Sequence, residues 1–142
     1  MSVEENKALV RHYFDELNKG NIEGAEDCLA TGFVRYSVSG AVVNKTSYGA
    51  FLRGVAKSIP DLRRTVNEMI GEEDKVAIWF TWTGTHTGGV FGGYPPTGKG
   101  LVVQELYVAR FEDGKIAEFR QFADLLGVFR QLGKSPPAPQ PQ

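Results

Sequence analysis

The acidic side chain best placed for chemistry is Asp124, which lies in an apolar stretch near the end of the sequence. Its apolar neighbours are Phe119, Phe122, Leu125, Leu126 and Phe129. A carboxylate that loses its solvation becomes a better proton acceptor at neutral pH, which makes Asp124 a candidate catalytic base. The same position suits the N-cap of a following helix, where the carboxylate would accept hydrogen bonds from nearby backbone amides. The residues alone favour the cap and leave the base open.

Two basic side chains are candidates to act with this carboxylate. Arg120 lies four residues before Asp124, and even spacing on a strand places both on one face, together with Glu118 and Phe122. Arg120 can therefore pair with Asp124, bind a substrate oxyanion, or form an exposed pair with Glu118. His86 stands at a strand end beside a glycine-rich stretch, where it can transfer protons or bond to loop backbone.

Aromatic and basic residues on neighbouring elements are candidates for substrate binding. Trp79 and Trp82 fall on opposite faces of one strand, so at most one of them can line a pocket. Tyrosines can point a hydroxyl into a pocket or lie in the core with that hydroxyl bonded. The candidate binding residues are Tyr13, Tyr36, Trp82, Phe122 and Arg110. For Arg110, a solvated strand end is the alternative.

The first part of the chain has helical periodicity. Apolar residues recur at three- and four-residue spacing at Val10, Tyr13, Phe14 and Leu17, and Gly20 follows as a helix stop. The pattern then predicts a second helix over 22–29, a strand over 33–38 and a third helix over 46–58.

From residue 62 onward the apolar residues alternate with period two, which is typical of strands. Both faces of the strand near residue 80 are largely apolar or uncharged, so we expect both to be covered. We predict strands over 62–70, 76–83, 101–111 and 116–123, a long glycine-rich loop over 84–100, and a short helix over 124–133.

This order of elements predicts an α+β fold. N-terminal helices would cover a cone-shaped, strongly curved antiparallel sheet and enclose a central apolar pocket. The length predicts one domain over residues 1–134. Four of the seven prolines fall in residues 135–142, so we expect a disordered proline-rich tail.

Charge and composition exclude several functional classes. Sixteen basic and seventeen acidic residues give a net charge of −1, without the basic footprint of a nucleic-acid-binding protein or a polybasic membrane patch. One cysteine and two histidines offer no metal-ligand pattern, and we expect no metal. No signal-peptide pattern or membrane span occurs in the sequence, so we expect a cytoplasmic protein.

Three stretches together resemble the SnoaL-like polyketide cyclases. This family lies within the nuclear-transport-factor-two-like superfamily, which also holds ketosteroid isomerases and scytalone dehydratases. The stretches are Val10–Asn21, Gly84–Lys99 with its Pro95-Pro96 pair, and an ending made of Asp113–Glu118, Asp124–Gly127 and Gln131–Gly133. The resemblance implies a homodimer formed through the sheet and no cofactor. It also implies that Asp124 removes a C–H proton before an aldol ring closure.

Two functional hypotheses follow. In the first, the protein is a cofactor-free enzyme with a cyclase, isomerase or lyase outcome on a small apolar carbonyl compound. Asp124 would be its base, with Arg120 or His86 orienting the substrate. In the second, the fold is a non-catalytic module that binds a small molecule or a protein partner.

Overall fold

A computed structural model describes residues 1–136, which form an α+β fold with a single curved sheet. Of the proline-rich tail predicted over 135–142, residues 137–142 lie outside the described residues. In chain order the elements are α1 (Val3–Asn18), α2 (Ile22–Glu26), β1 (Leu29–Tyr36), β2 (Val42–Asn44), α3 (Lys45–Ser58), β3 (Arg63–Glu72), β4 (Lys75–Thr85), β5 (Gly100–Glu112), β6 (Lys115–Ala123) and α4 (Leu125–Leu132).

Helix α1 begins at a capping box. The Ser2 hydroxyl accepts a hydrogen bond from the Glu5 amide at 3.0 Å, and the Glu5 carboxylate accepts one from the Ser2 amide at 3.2 Å. These bonds lower the pKa of Glu5. The apolar stripe predicted on this helix is buried, which fixes the helix against the sheet.

The second helix is shorter than predicted, and the first strand begins earlier. The chain is already extended at Leu29, which pairs with Ile116 of β6. Ile116 also donates its amide hydrogen to the Cys28 carbonyl oxygen at 2.9 Å. Hydrogen bonds from a strand so distant in sequence outweigh local helical propensity. The prediction that the first strand continues to residue 38 is also wrong, because β1 ends at Tyr36. A turn follows, in which the Gly40 amide donates to the Ser37 carbonyl oxygen and Gly40 has φ +89°.

The sheet has the order β2-β1-β6-β5-β4-β3 and is not closed. The α+β prediction is confirmed. Four neighbouring pairs are antiparallel as predicted, but β1 and β6 are parallel. No turn joins these two strands, because α3 and the β3–β5 meander separate them in the chain, so local signals do not set their direction.

The two faces of the sheet have different environments. The inner face packs on α1 and α3, and its apolar side chains form the core. On the outer face the side chains of Trp79, Val102, Leu106 and Phe122 are between 41% and 61% exposed. The expectation that both faces of β4 are covered is therefore wrong within the described chain.

Among the described residues, none of the helices combines the length and apolar character needed to cross a membrane.

Candidate functional site

A cavity of about 580 Å³ lies between the inner face of the sheet, helices α3 and α4, and the loop after β4. Its wall is mostly apolar, as expected for a small-molecule site. Only three of its lining residues carry a charge: Arg35, Arg64 and Glu105. With Glu105 ionised, the charged side chains of the wall sum to +1.

Glu105 is the carboxylate inside this cavity. It is partly buried on β5, on the same face as the buried residues Val103 and Tyr107. One carboxylate oxygen accepts a hydrogen bond from the Trp82 indole nitrogen at 2.6 Å, and the other accepts one from the Gln121 amide nitrogen at 2.7 Å. Burial raises the pKa of Glu105, and this effect exceeds the opposing effect of the two hydrogen bonds and of the nearby arginines.

Gln121 connects this carboxylate to a buried cation. While its amide nitrogen donates to Glu105, its amide oxygen accepts a hydrogen bond from Nη1 of Arg35 at 3.3 Å. Gln121 therefore lies between the two charged groups and uses both ends of its amide. The arrangement holds Glu105 in a defined orientation.

Arg64 is positioned by the backbone of β3. The Asn18 side chain accepts a hydrogen bond from the Arg64 amide at 2.8 Å and donates one to its carbonyl oxygen at 2.7 Å. The Arg64 side chain lines the cavity, and its positive charge acts to lower the pKa of Glu105.

A group of buried tyrosines lies behind the carboxylate. The hydroxyls of Tyr13 and Tyr48 are 2.7 Å apart, and Tyr107 lines the cavity itself. Burial raises the pKa of all three phenols, so they remain neutral at physiological pH. Of the three, only Tyr107 is among the described residues that line the cavity.

The structure places Asp124, the predicted base, outside this cavity. Asp124 is exposed and forms the N-cap of α4, with its carboxylate accepting the Gly127 amide at 2.9 Å. This is the capping role that the sequence favoured. The expected apolar surroundings are absent because its neighbours Leu125 and Leu126 are themselves about half exposed.

Arg120 and Phe122 share a face with Glu118, as predicted, but it is the outer face of the sheet. Arg120 pairs with Glu118 at 2.8 Å, and its guanidinium lies 4.5 Å from the centre of the Tyr36 ring. Phe122 is 49% exposed. The expected positions of Arg120, Tyr36 and Phe122 in the pocket wall are therefore wrong, because the opposite row of β6, with Gln121, faces the cavity.

Arg110 also lies away from the cavity, since it pairs with Glu118 at 2.9 Å and with Glu112. These two partners raise the pKa of Arg110 further above its usual range. Tyr13 is a core residue and does not line the cavity. Among the predicted binding residues, Trp82 alone lines the cavity, and Trp79 lies on the outer face as their spacing requires.

His86 is fully buried and anchors the loop after β4. Its Nε2 lies 2.6 Å from the Gly89 carbonyl oxygen, and its Nδ1 lies 3.1 Å from the Thr97 hydroxyl. The Thr97 amide donates to the same Nδ1 at 3.3 Å, so Nδ1 accepts and Nε2 carries the hydrogen. This is the backbone-bonded loop histidine that the sequence left open, and it does not line the cavity.

The SnoaL-like polyketide cyclase family model matches residues 7–132. The chain belongs to this family. In the described part, residues 1–136, no three His, Cys, Asp or Glu side chains are grouped so that they could hold a metal ion.

The chain is also similar to a curated relative and to solved structures. Aklanonic acid methyl ester cyclase DnrD of Streptomyces peucetius is 39% identical over 57 residues, which are 40% of this chain and 39% of DnrD. The match therefore spans about two fifths of that curated relative. AclR of Streptomyces galilaeus, a proposed hydroxylase, is 31% identical with a TM-score of 0.85 over 98% of this chain and 91% of AclR. A proposed SnoaL-like polyketide cyclase from Jannaschia sp. CCS1 is 27% identical with a TM-score of 0.84 over 94% of each chain.

Sequence reasoning missed Glu105, Gln121, Arg35 and Arg64. A signal for Glu105 was present: it interrupts a row in which every second residue of β5 is apolar, namely Leu101, Val103, Tyr107 and Ala109. An acid inside such a row is either a strand-edge residue or a buried functional group. No local signal identified Gln121. Phe119 lies on the same face of β6 and Phe122 on the opposite face, so the apolar residues do not show which face Gln121 shares with the cavity.

Proposed function

We propose that this member of the family is a cofactor-free acid–base enzyme acting on a polyketide-type carbonyl compound, with Glu105 as its base. The observation that carries the proposal is a carboxylate with a raised pKa, held in a largely apolar cavity by two hydrogen-bond donors. A carboxylate whose pKa is raised takes up a proton more readily than an ordinary carboxylate.

The proposed step begins with a C–H bond next to a carbonyl group. Glu105 takes the proton, and the electron pair of the C–H bond moves to form an enolate. The enolate carbon then attacks a second carbonyl within the same molecule, and Glu105 returns the proton to the new alkoxide. If the enolate instead takes up the proton at another carbon, the outcome is an isomerisation.

The cavity can stabilise the negative charge that develops on the carbonyl oxygen. The Arg64 guanidinium lines the same cavity as Glu105 and makes no salt bridge with any residue between 1 and 136. A fixed cation in a site that excludes water favours an enolate more strongly than the same cation in solvent.

The name of one relative supports the substrate class. DnrD is named a cyclase of aklanonic acid methyl ester, and the 39% identity covers part of each chain. A cavity of about 580 Å³ falls within the range of drug-sized ligand sites.

The test is proton exchange, which requires no natural substrate. Aromatic β-dicarbonyl compounds would be incubated in D₂O with the protein, and loss of the C–H signal would be followed by NMR. We expect Glu105→Gln to slow exchange by about 10²–10⁴-fold, since removal of a general base has effects of this size. Glu68→Gln is the matched control, because Glu68 is exposed on β3 and does not line the cavity.

Equal exchange by the wild type and Glu105→Gln would refute the proposed base. Tight ligand binding without exchange in either protein would instead support the non-catalytic binding module.

A further inference from the structure

Arg35 is a buried cation with few partners. Its side chain lines the cavity, and the residue is only 8% exposed. Nη1 donates to Gln121 at 3.3 Å, while Nε is buried without a hydrogen-bond partner among the described residues. No salt bridge joins Arg35 to any carboxylate within residues 1–136.

Aromatic rings hold this guanidinium in place. Its central carbon lies 4.6 Å from the centre of the Phe51 ring and 5.3 Å from the centre of the Tyr48 ring. Cation–π contacts offset part of the cost of burying a charge, but they supply no counter-charge. An arginine stays protonated even when buried, so it cannot escape this cost by losing its proton.

Glu105 does not act as a direct counterion. Gln121 lies between the two groups and bonds each of them through a different end of its amide. A direct pair would lower the pKa of Glu105 and hold both groups in contact with each other. With the amide between them, Arg35 has no carboxylate in direct contact with its guanidinium among residues 1–136.

We infer that the cavity binds a ligand bearing a free carboxylate, which Arg35 holds through its guanidinium. This inference rests on the proposed function, since it names the substrate class of the same site. It sets this chain apart from DnrD, whose name specifies a methyl ester and whose match to this chain covers 57 residues. A carboxylate is ionised at neutral pH, and it matches the planar fork of a guanidinium. The net charge of +1 on the wall favours an anion, and the apolar wall accommodates the ring system that carries it.

The test compares an acid with its ester. Anthraquinone-2-carboxylate and its methyl ester have the same ring system and differ in charge. Calorimetric titration at pH 7 should show that the wild type binds the acid tighter by about tenfold or more, the range expected for a charge-assisted hydrogen bond. 2-Hydroxyanthraquinone, with a phenol in place of the acid, should bind no better than the ester.

Substitution of the arginine should remove this preference. Arg35→Met keeps an unbranched side chain without charge, and we expect it to bind acid and ester within about twofold of each other. Arg11→Met is the matched control, because Arg11 is exposed and does not line the cavity. Arg11→Met should retain the wild-type ratio.

Equal binding of acid and ester by the wild type would overturn the inference, even if Arg35→Met does not fold. Tighter binding of the phenol than of the acid would overturn it as well. The proposed base has a separate test: Glu105→Gln should lose proton exchange, and because it raises the charge of the wall from +1 to +2, it should strengthen rather than remove the preference for the acid. The two proposals can therefore fail independently.

Discussion

The hydrogen bond from Trp82 to Glu105 should control how readily the carboxylate ionises. The indole nitrogen donates to Glu105 at 2.6 Å inside the cavity, and this bond acts to lower the pKa of Glu105. A hydrogen bond to a charged group contributes about 1.5–3 kcal/mol. At about 1.4 kcal/mol per pKa unit, its removal in Trp82→Phe should raise the pKa of Glu105 by about 1–2 units.

The assay is an NMR titration of the carboxyl carbon of Glu105 in the wild type and in Trp82→Phe. Trp79→Phe provides a matched control, since Trp79 donates a similar bond of 2.8 Å to Gln104 on the outer face. We expect Trp79→Phe to leave the titration of Glu105 unchanged. If the midpoint in Trp82→Phe is equal to or below the wild-type midpoint, the assigned role of this hydrogen bond is refuted.

Three further predictions concern stability and assembly. Because burial raises the pKa of Glu105 above 4.5, the folded state binds more protons than the unfolded state. The free energy of unfolding of the wild type should therefore fall, relative to that of Glu105→Gln, as pH rises from about 4.5 through the pKa of Glu105 in the folded protein. Urea unfolding of both proteins at several pH values measures this difference. His86→Phe should lower the free energy of unfolding, measured with urea, by about 2–4 kcal/mol, because the Gly89 carbonyl and the Thr97 hydroxyl would each lose their hydrogen bond to the buried His86 ring. A decrease of less than about 0.5 kcal/mol would contradict this. If the exposed apolar outer face forms the homodimer that the family resemblance implies, Leu106→Glu should shift sedimentation towards the monomer, and an unchanged sedimentation coefficient would exclude that interface.

Most elements of the fold could be predicted from local signals. The capping box at Ser2 and the apolar stripe of α1 each depend on residues within a few positions of one another. Alternation over Val76, Ile78, Phe80 and Trp82 identified β4 for the same reason. The parallel pairing of β1 with β6 could not be predicted, because it depends on contacts between residues more than 80 positions apart.

The site was harder to predict because periodicity assigns residues to faces without saying which face is inside. The spacing correctly grouped Glu118, Arg120 and Phe122, yet Phe119 and Gln121 on the other row face the interior. The outer row includes the apolar Phe122 and the inner row includes the polar Gln121, so hydrophobicity alone did not distinguish the two faces.

The most direct test of the central claim compares two carboxylates in one proton-exchange assay. Asp124→Asn should keep wild-type exchange, since asparagine also caps a helix and this carboxylate lies outside the cavity. Glu105→Gln, measured in parallel, should lose exchange by about 10²-fold or more. The reverse result, with exchange lost in Asp124→Asn and kept in Glu105→Gln, would contradict the account and assign the chemistry to the start of α4.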